Sequence, residues 1–224
     1  MQGPHLEKAK KIQKLLSKRV KICKYRGPLR IIGGIDMSYV KPNLSIVAYV
    51  ETVYGRDNLV RETWISVPVN TPYIPTYLFL REGPPMLRLL VEKGVNAEII
   101  MVNGHGLTHP RMMGLATYIG VVMGLPTIGV AKKPLFGEAI GEIMPGVIGI
   151  KAHGKIVGAI IRSGTGGRLY VSVGHRINLH QSIKVVLDNL GKNPLPVPLY
   201  RADQLSKSIA KRVKAGQALD QFFS

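Results

Sequence analysis

Residues 98–110 read Glu-Ile-Ile-Met-Val-Asn-Gly-His-Gly-Leu-Thr-His-Pro, and this stretch limits the fold more than any other. Ile99 to Val102 form a short apolar run that suits a strand covered on both faces. Asn103-Gly104-His105-Gly106 ends the run, and two glycines within three residues let the backbone turn sharply and a ligand come close. Pro110 predicts the first residue of a helix over 111–124. Polar groups therefore sit at the carboxyl end of a buried strand, where open α/β sheets bind ligands. Taken alone, the stretch reads equally well as a strand end with a glycine turn and two surface histidines.

The flanking sequence supplies the rest of a sheet. Residues 5–23 predict an amphipathic helix, with Leu6, Ala9, Ile12, Leu15, Leu16 and Val20 as its apolar stripe and lysines between them. Strands are expected at 30–39, 44–54 and 59–67, joined by links so short that they require an antiparallel meander. A stiff loop follows at 70–76, where Pro72 and Pro75 restrict Tyr73 and Ile74. Then come a helix over 76–93 interrupted by Pro84 and Pro85, the 98–102 strand, the 111–124 helix and a buried strand over 125–130. Short strands are expected at 146–151, 155–161 and 168–173, then a helix over 179–190 capped by Asn178. A basic amphipathic helix over 200–215 and a loosely held tail over 216–224 complete the chain. Three antiparallel strands followed by alternating helices and strands give an α/β class with a mixed sheet flanked by helices, expected as one domain over 1–224.

Charge points to the partner. Lys and Arg total 31 against 13 Asp and Glu, a formal net charge of +18. That excess predicts a polyanionic partner, nucleic acid above all. Cys23 is the single cysteine, which excludes an internal disulfide and a zinc site built from several thiolates. No secretory leader or membrane-length apolar run is present, so a soluble, cytoplasmic monomer is expected. With so few acids, Asp36 inside an apolar strand and Glu82 inside a helix stand out, because a buried acid is costly unless it is paired or metal-bound.

Several stretches occur in a fixed order: Gly34-Ile-Asp36-Met-Ser-Tyr39, Pro72-Tyr-Ile-Pro75, Phe79-Leu-Arg-Glu-Gly-Pro-Pro85, Gly104-His-Gly-Leu-Thr-His-Pro-Arg111, Gly114-Leu-Ala116, Pro126-Thr-Ile-Gly-Val-Ala-Lys132 and Gly174-His-Arg176. Together, and in this order, they resemble the endonuclease V family. The resemblance implies a ribonuclease H-like fold. It also implies a Mg²⁺-dependent nuclease, with Mn²⁺ able to substitute, that finds inosine in DNA or RNA and hydrolyses the second phosphodiester bond 3′ to it. Asp36, Glu82 and position 103 would hold the metal, Lys132 would sit near the scissile phosphate, and His175 would assist the metal or the leaving group. Pro72, Tyr73, Ile74 and Pro75 would form the wedge that fills the gap left by the flipped base. Thr76, Leu78, Gly104, His109 and Leu135 would line the lesion pocket, with Thr76 where many members carry glycine.

One position departs from the pattern. The resemblance implies aspartate before Gly-His-Gly, and this chain has Asn103. An amide oxygen can ligate a metal but brings no charge. The loss of one well-placed electrostatic group implies a rate loss of at least roughly 10²-fold. Because every other motif is intact, an engineered inactivation is favoured over a natural paralogue that binds without cutting. The alternative function is a non-catalytic inosine or structured nucleic-acid binding protein.

Overall fold

In the computed structural model, which describes residues 3–41 and 43–216, the 98–110 stretch lies at the centre of a nine-stranded mixed sheet. Helix α1 (Gly3–Ser17) precedes the meander β1 (Ile31–Lys41), β2 (Leu44–Val53) and β3 (Leu59–Pro68). Helix α2 (Leu78–Lys93), β4 (Ile99–Asn103), α3 (Leu115–Met123) and β5 (Thr127–Ala131) follow. A second meander, β6 (Glu138–Met144), β7 (Val147–Ala152), β8 (Lys155–Arg162) and β9 (Arg168–His175), leads to α4 (Leu179–Asp188) and α5 (Val197–Lys214). The sheet order is β3-β2-β1-β4-β5-β9-β8-β7-β6. Only β1, β4 and β5 run parallel to one another, and the two meanders add antiparallel wings.

The β4 sequence explains its central place. Ile100 and Val102 join one core layer with Phe79 and Leu89 of α2 and Ile119 of α3. Ile99 and Met101 point the other way, into a layer with Ile183 and Val186 of α4 and Leu199 of α5. A strand covered on both faces needs no polar alternation, and this one has none until Asn103. Each fully buried Leu, Ile or Phe contributes about 1.5–3 kcal/mol through removal from water.

Gly34 sets α5 onto β1. A Cβ there would stand 2.3 Å from the Pro198 carbonyl carbon, so only glycine lets the first turn of α5 approach this closely. By the period of two, Asp36 and Ser38 lie on the same face as Gly34. Ser38 Oγ is 2.8 Å from Ser206 Oγ of α5, which fixes the register of helix on strand.

Several expectations need correction. Helix α1 ends at Ser17, because Lys21 N–H donates to His175 Nδ1 (3.3 Å) and Lys21 C=O accepts from Arg176 N–H (2.7 Å), drawing the chain away from helical pairing. Its buried face centres on Ala9 and Gln13, while Ile12 and Leu15 of the expected stripe are exposed. Pro110 does not start α3. The loop folds back, with Gly106 C=O and His105 C=O accepting from Gly114 N–H (3.1 Å) and Ala116 N–H (3.0 Å), so the helix begins at Leu115. Strand β6 was not expected; it is a sheet edge, mostly exposed, whose Ala139, Ile140, Ile143 and Met144 do not alternate with polar residues. Asn178 does cap α4, its side chain accepting from Gln181 N–H at 2.8 Å. The expected tail lies outside the described residues beyond Gly216.

Candidate active site

Strand β1 runs on past the carboxyl end of β4, and the acids gather there. The β1–β4 register pairs Ile35 with Val102, which places Asp36 beside Asn103. Asp36 is 5% exposed. Its Oδ1 accepts from Met37 N–H at 2.7 Å, and the Asn103 side-chain amide also hydrogen-bonds the carboxyl. Burial raises the Asp36 pKa to about 7 against the pull of those two donors, and the nearby Asp203 and Glu82 carboxylates push the same way.

Glu82 reaches the site from α2. Burial raises it too to about 7, opposed by the Tyr39 hydroxyl and the Arg81 guanidinium. Tyr39 Oη–H donates to Glu82 Oε1 at 2.9 Å and accepts from Arg81 Nε–H at 2.8 Å. The Arg81 guanidinium lies 4.3 Å from the centre of the Tyr39 ring. Arg81 also donates to Thr71 C=O, tying the acid's support to the base of the proline-flanked loop.

Asp203 escaped the sequence reading. It is buried on α5, held by Lys207 Nζ at 2.7 Å, and close enough to act on Asp36. The signal was present: Ala202, Asp203, Ser206, Ile209 and Ala210 form the buried stripe of this helix, and an acid on such a stripe is rarely idle. Gln13, Tyr39 and Arg111 were missed as well, since each acts through contacts with residues distant in sequence.

Beside the acids opens a cavity of about 440 Å³. It brings together Tyr73, Thr76, Leu78, Gly104, His109 and Leu135 from the expected wedge and pocket, with Asn103 and Lys132 at the same lining. Tyr73 is 64% exposed. Pro72 and Pro75 are exposed and Ile74 is half-buried. His105 joins Thr108 Oγ1 and Lys133 C=O, each at 3.0 Å, and so fastens the glycine loop to the turn that carries Lys132.

Thr76 is the strained corner of this cavity, with a φ of +67°. A left-handed conformation costs a non-glycine residue roughly 1–2 kcal/mol. His109 helps to hold it. Arg111 N–H donates to His109 Nδ1 at 3.1 Å, so the proton sits on Nε2, which donates to Thr76 C=O at 2.9 Å. Burial lowers the His109 pKa to about 4, keeping the ring neutral. Both ring nitrogens are thus engaged within the protein.

His175 is placed elsewhere. In the antiparallel β5–β9 pair it faces Thr127, at the start of β5, whereas Asn103 faces Val130 near its end. Three residues of strand separate them along β5, about 10 Å. His175 Nδ1 accepts from Lys21 N–H, and burial lowers its pKa. A role beside the metal or leaving group is therefore withdrawn; His175 anchors the segment after α1.

The donor set at the acids is chemically coherent. Two carboxylates and an amide oxygen are hard oxygen donors of the kind that hold Mg²⁺. Among the described residues no cluster of three or more His, Cys, Asp or Glu side chains meets metal-site geometry, and at this site the position beside Asp36 is an amide. Among the described residues no helix is long and apolar enough to cross a membrane.

Known proteins share the sequence pattern and the fold of this chain. The Endonuclease V family model matches residues 13–204. Endonuclease V of Desulfurococcus amylolyticus is 35% identical over 213 residues, covering 92% of this chain and 96% of that protein. The crystal structure of endonuclease V from Streptomyces avermitilis superposes with a TM-score of 0.82 at 31% identity, covering 92% of this chain and 93% of that one. Ciona intestinalis endonuclease V, in complex with a 23mer DNA containing an inosine followed by a ribo-adenosine, shares the fold with a TM-score of 0.83 at 22% identity, covering 95% and 100%. The chain belongs to the endonuclease V family of nucleases.

Proposed function

We propose that this chain is built as an inosine-directed, Mg²⁺-dependent endonuclease of DNA repair whose cutting step is strongly impaired by Asn103. The observation that carries the reading is the pairing of two acids, buried Asp36 and half-buried Glu82, with a cavity large enough for a base and lined by the exposed wedge residue Tyr73. The inosine in the DNA bound to the Ciona relative supports the choice of lesion.

Asp36, Glu82 and the Asn103 oxygen would hold Mg²⁺, or Mn²⁺ in its place. When bound, the ion would lower the pKa of water and stabilise charge developing on the phosphate. The raised pKa values of Asp36 and Glu82 fit this role, because a cation would supply the missing counter-charge. Lys132, exposed at the end of β5, would neutralise the phosphate backbone beside the cut. The cavity would take the extruded hypoxanthine while Tyr73 fills the stack it left. The bond hydrolysed would be the second phosphodiester 3′ to the lesion.

Asn103 weakens this machinery in two ways. It adds no negative charge, and its amide hydrogen-bonds an Asp36 carboxyl needed as a ligand. A nicking assay on an inosine-containing duplex with Mg²⁺ tests the reading. Asn103→Asp should cut at least roughly 10²-fold faster than the parent, with both binding the duplex. A second reading, a non-catalytic inosine-binding protein, rests on Asn103 itself. It holds instead if both chains bind inosine and neither cuts.

A further inference from the structure

Gln13 is fully buried, yet it lies on a helix whose neighbouring positions carry lysines. All three polar groups of its amide are used. Nε2–H donates to Thr76 C=O at 3.2 Å and to Met113 C=O at 3.0 Å, and Oε1 accepts from Arg111 Nε–H. Thr76 and Met113 line the lesion cavity. Arg111 in turn donates to Thr76 C=O at 2.7 Å and to Thr76 Oγ1 at 2.6 Å. With His109 added, the single carbonyl of Thr76 receives three donors, one from α1 and two from the 109–111 turn.

A carbonyl needs at most two partners, so three converging donors exceed simple satisfaction. What they do is fix a peptide plane that would otherwise relax from its left-handed conformation. That plane joins the wedge, which ends at Pro75, to Tyr77 and Leu78, which open α2 and the cavity wall. At its other end the wedge loop is held by Arg81 on Thr71 C=O. The loop is thus pinned at both feet with Tyr73 left standing out.

We propose that Gln13 is a positioning residue for lesion selection: it holds the Thr76 corner so that cavity and wedge are formed before the nucleic acid arrives. This makes α1 part of the recognition apparatus, and it rests on the inosine-directed reading above. A preformed cavity accepts the extruded base without spending binding energy on ordering the loop.

The test measures affinity for an inosine duplex and for an undamaged duplex of the same length at one salt concentration, and takes their ratio. Gln13→Glu keeps size and the bond to Arg111 but turns an oxygen toward two carbonyls. It should lower the ratio by about tenfold, because the new oxygen repels the Thr76 carbonyl it faces and pushes the corner out of place. Taking the ratio cancels the general effect of an added negative charge on phosphate binding. In a Thr76→Gly background the same change should cost less than about threefold, since glycine takes the left-handed conformation unaided. Should Gln13→Glu fail to fold, the near-isosteric Gln13→Met reads the same ratio. A ratio unchanged in a folded Gln13 variant, with the parent clearly preferring inosine, overturns the role and leaves the proposed function standing. Equal losses in the parent and in the Thr76→Gly background also overturn it, marking Gln13 as a docking residue for α1. A parent with no inosine preference removes the proposed function and this role together.

Discussion

At the scale of single residues, the site is dominated by the cost of burying charge. Asp36 and Glu82 are both raised to about 7 by burial, from ordinary values near 4. The folded chain therefore binds more protons than the unfolded chain between those limits. The stability these groups contribute is full below about pH 4 and is lost as pH rises through about 7. Buried histidines such as His109 act with the opposite sign, so the effect is cleanest as a difference between variants. Without metal, Asp36→Asn should melt higher than the parent at pH 8, by roughly 2–4 °C for each kcal/mol of relieved charge burial. The advantage should vanish by pH 5, and saturating Mg²⁺ at pH 8 should reverse it. Thermal scans with chelator and with Mg²⁺ decide this; a parent that melts above Asp36→Asn at pH 8 in chelator contradicts the assignment. Asn103-Gly104 is a pair prone to deamidation because glycine does not hinder ring closure. Here Gly104 N–H donates to Val130 C=O at 3.0 Å, which restrains the nitrogen that would have to attack.

At the scale of elements, the loop over 70–76 and helix α5 show how a sequence feature acquires a task from its anchors. Pro72 and Pro75 stiffen the loop, but Arg81, Gln13, His109 and Arg111 decide where it points. Tyr73 spends most of its surface in solvent, so removing its ring should leave folding stability within about 0.5 kcal/mol. Tyr73→Ala should nevertheless weaken inosine-duplex binding by roughly tenfold or more, the scale of one base–aromatic stack. Chemical denaturation beside a binding titration separates the two; parallel losses would make the ring a packing residue. Helix α5 does the converse. Its exposed lysines and arginine read as a phosphate-facing surface, while its buried stripe carries Asp203 to Asp36 through the close approach at Gly34.

At the scale of the whole molecule, the net charge of +18 sets a field that no single contact explains. Basic side chains on α1 and α5 lie on helices packed in different places, α1 against α3 and α5 against β1 and β2, and cannot all face one base. They should supply sequence-independent attraction to phosphates. Affinity for undamaged duplex should therefore fall steeply with salt, by about 10³-fold or more between 50 and 200 mM if six or more phosphates are neutralised. The inosine preference is a ratio in which the shared phosphate attraction cancels, so it should change far less over the same range. A preference that collapses in step with total affinity would place recognition in the charges instead of the cavity.

The sequence by itself determined the sheet's centre and the identity of most cavity residues. Ile99–Val102 suit a doubly covered strand and form one, and the glycines after it open a turn at its carboxyl end. Local periodicity also located both meanders, apart from β6, whose apolar residues come in pairs and do not alternate as in a half-buried strand. What only the tertiary structure decided are the relations between distant segments. Antiparallel pairing of β9 with β5 sends His175 to the strand end away from Asn103, and no local signal reports a strand's direction. The approach of α5 at Gly34 brings Asp203 beside Asp36 across most of the chain. Gln13 meets Thr76 and Met113 across 63 and 100 residues. Short-range order follows from side-chain spacing, whereas charge coupling and hydrogen-bond convergence depend on which surfaces the core presses together.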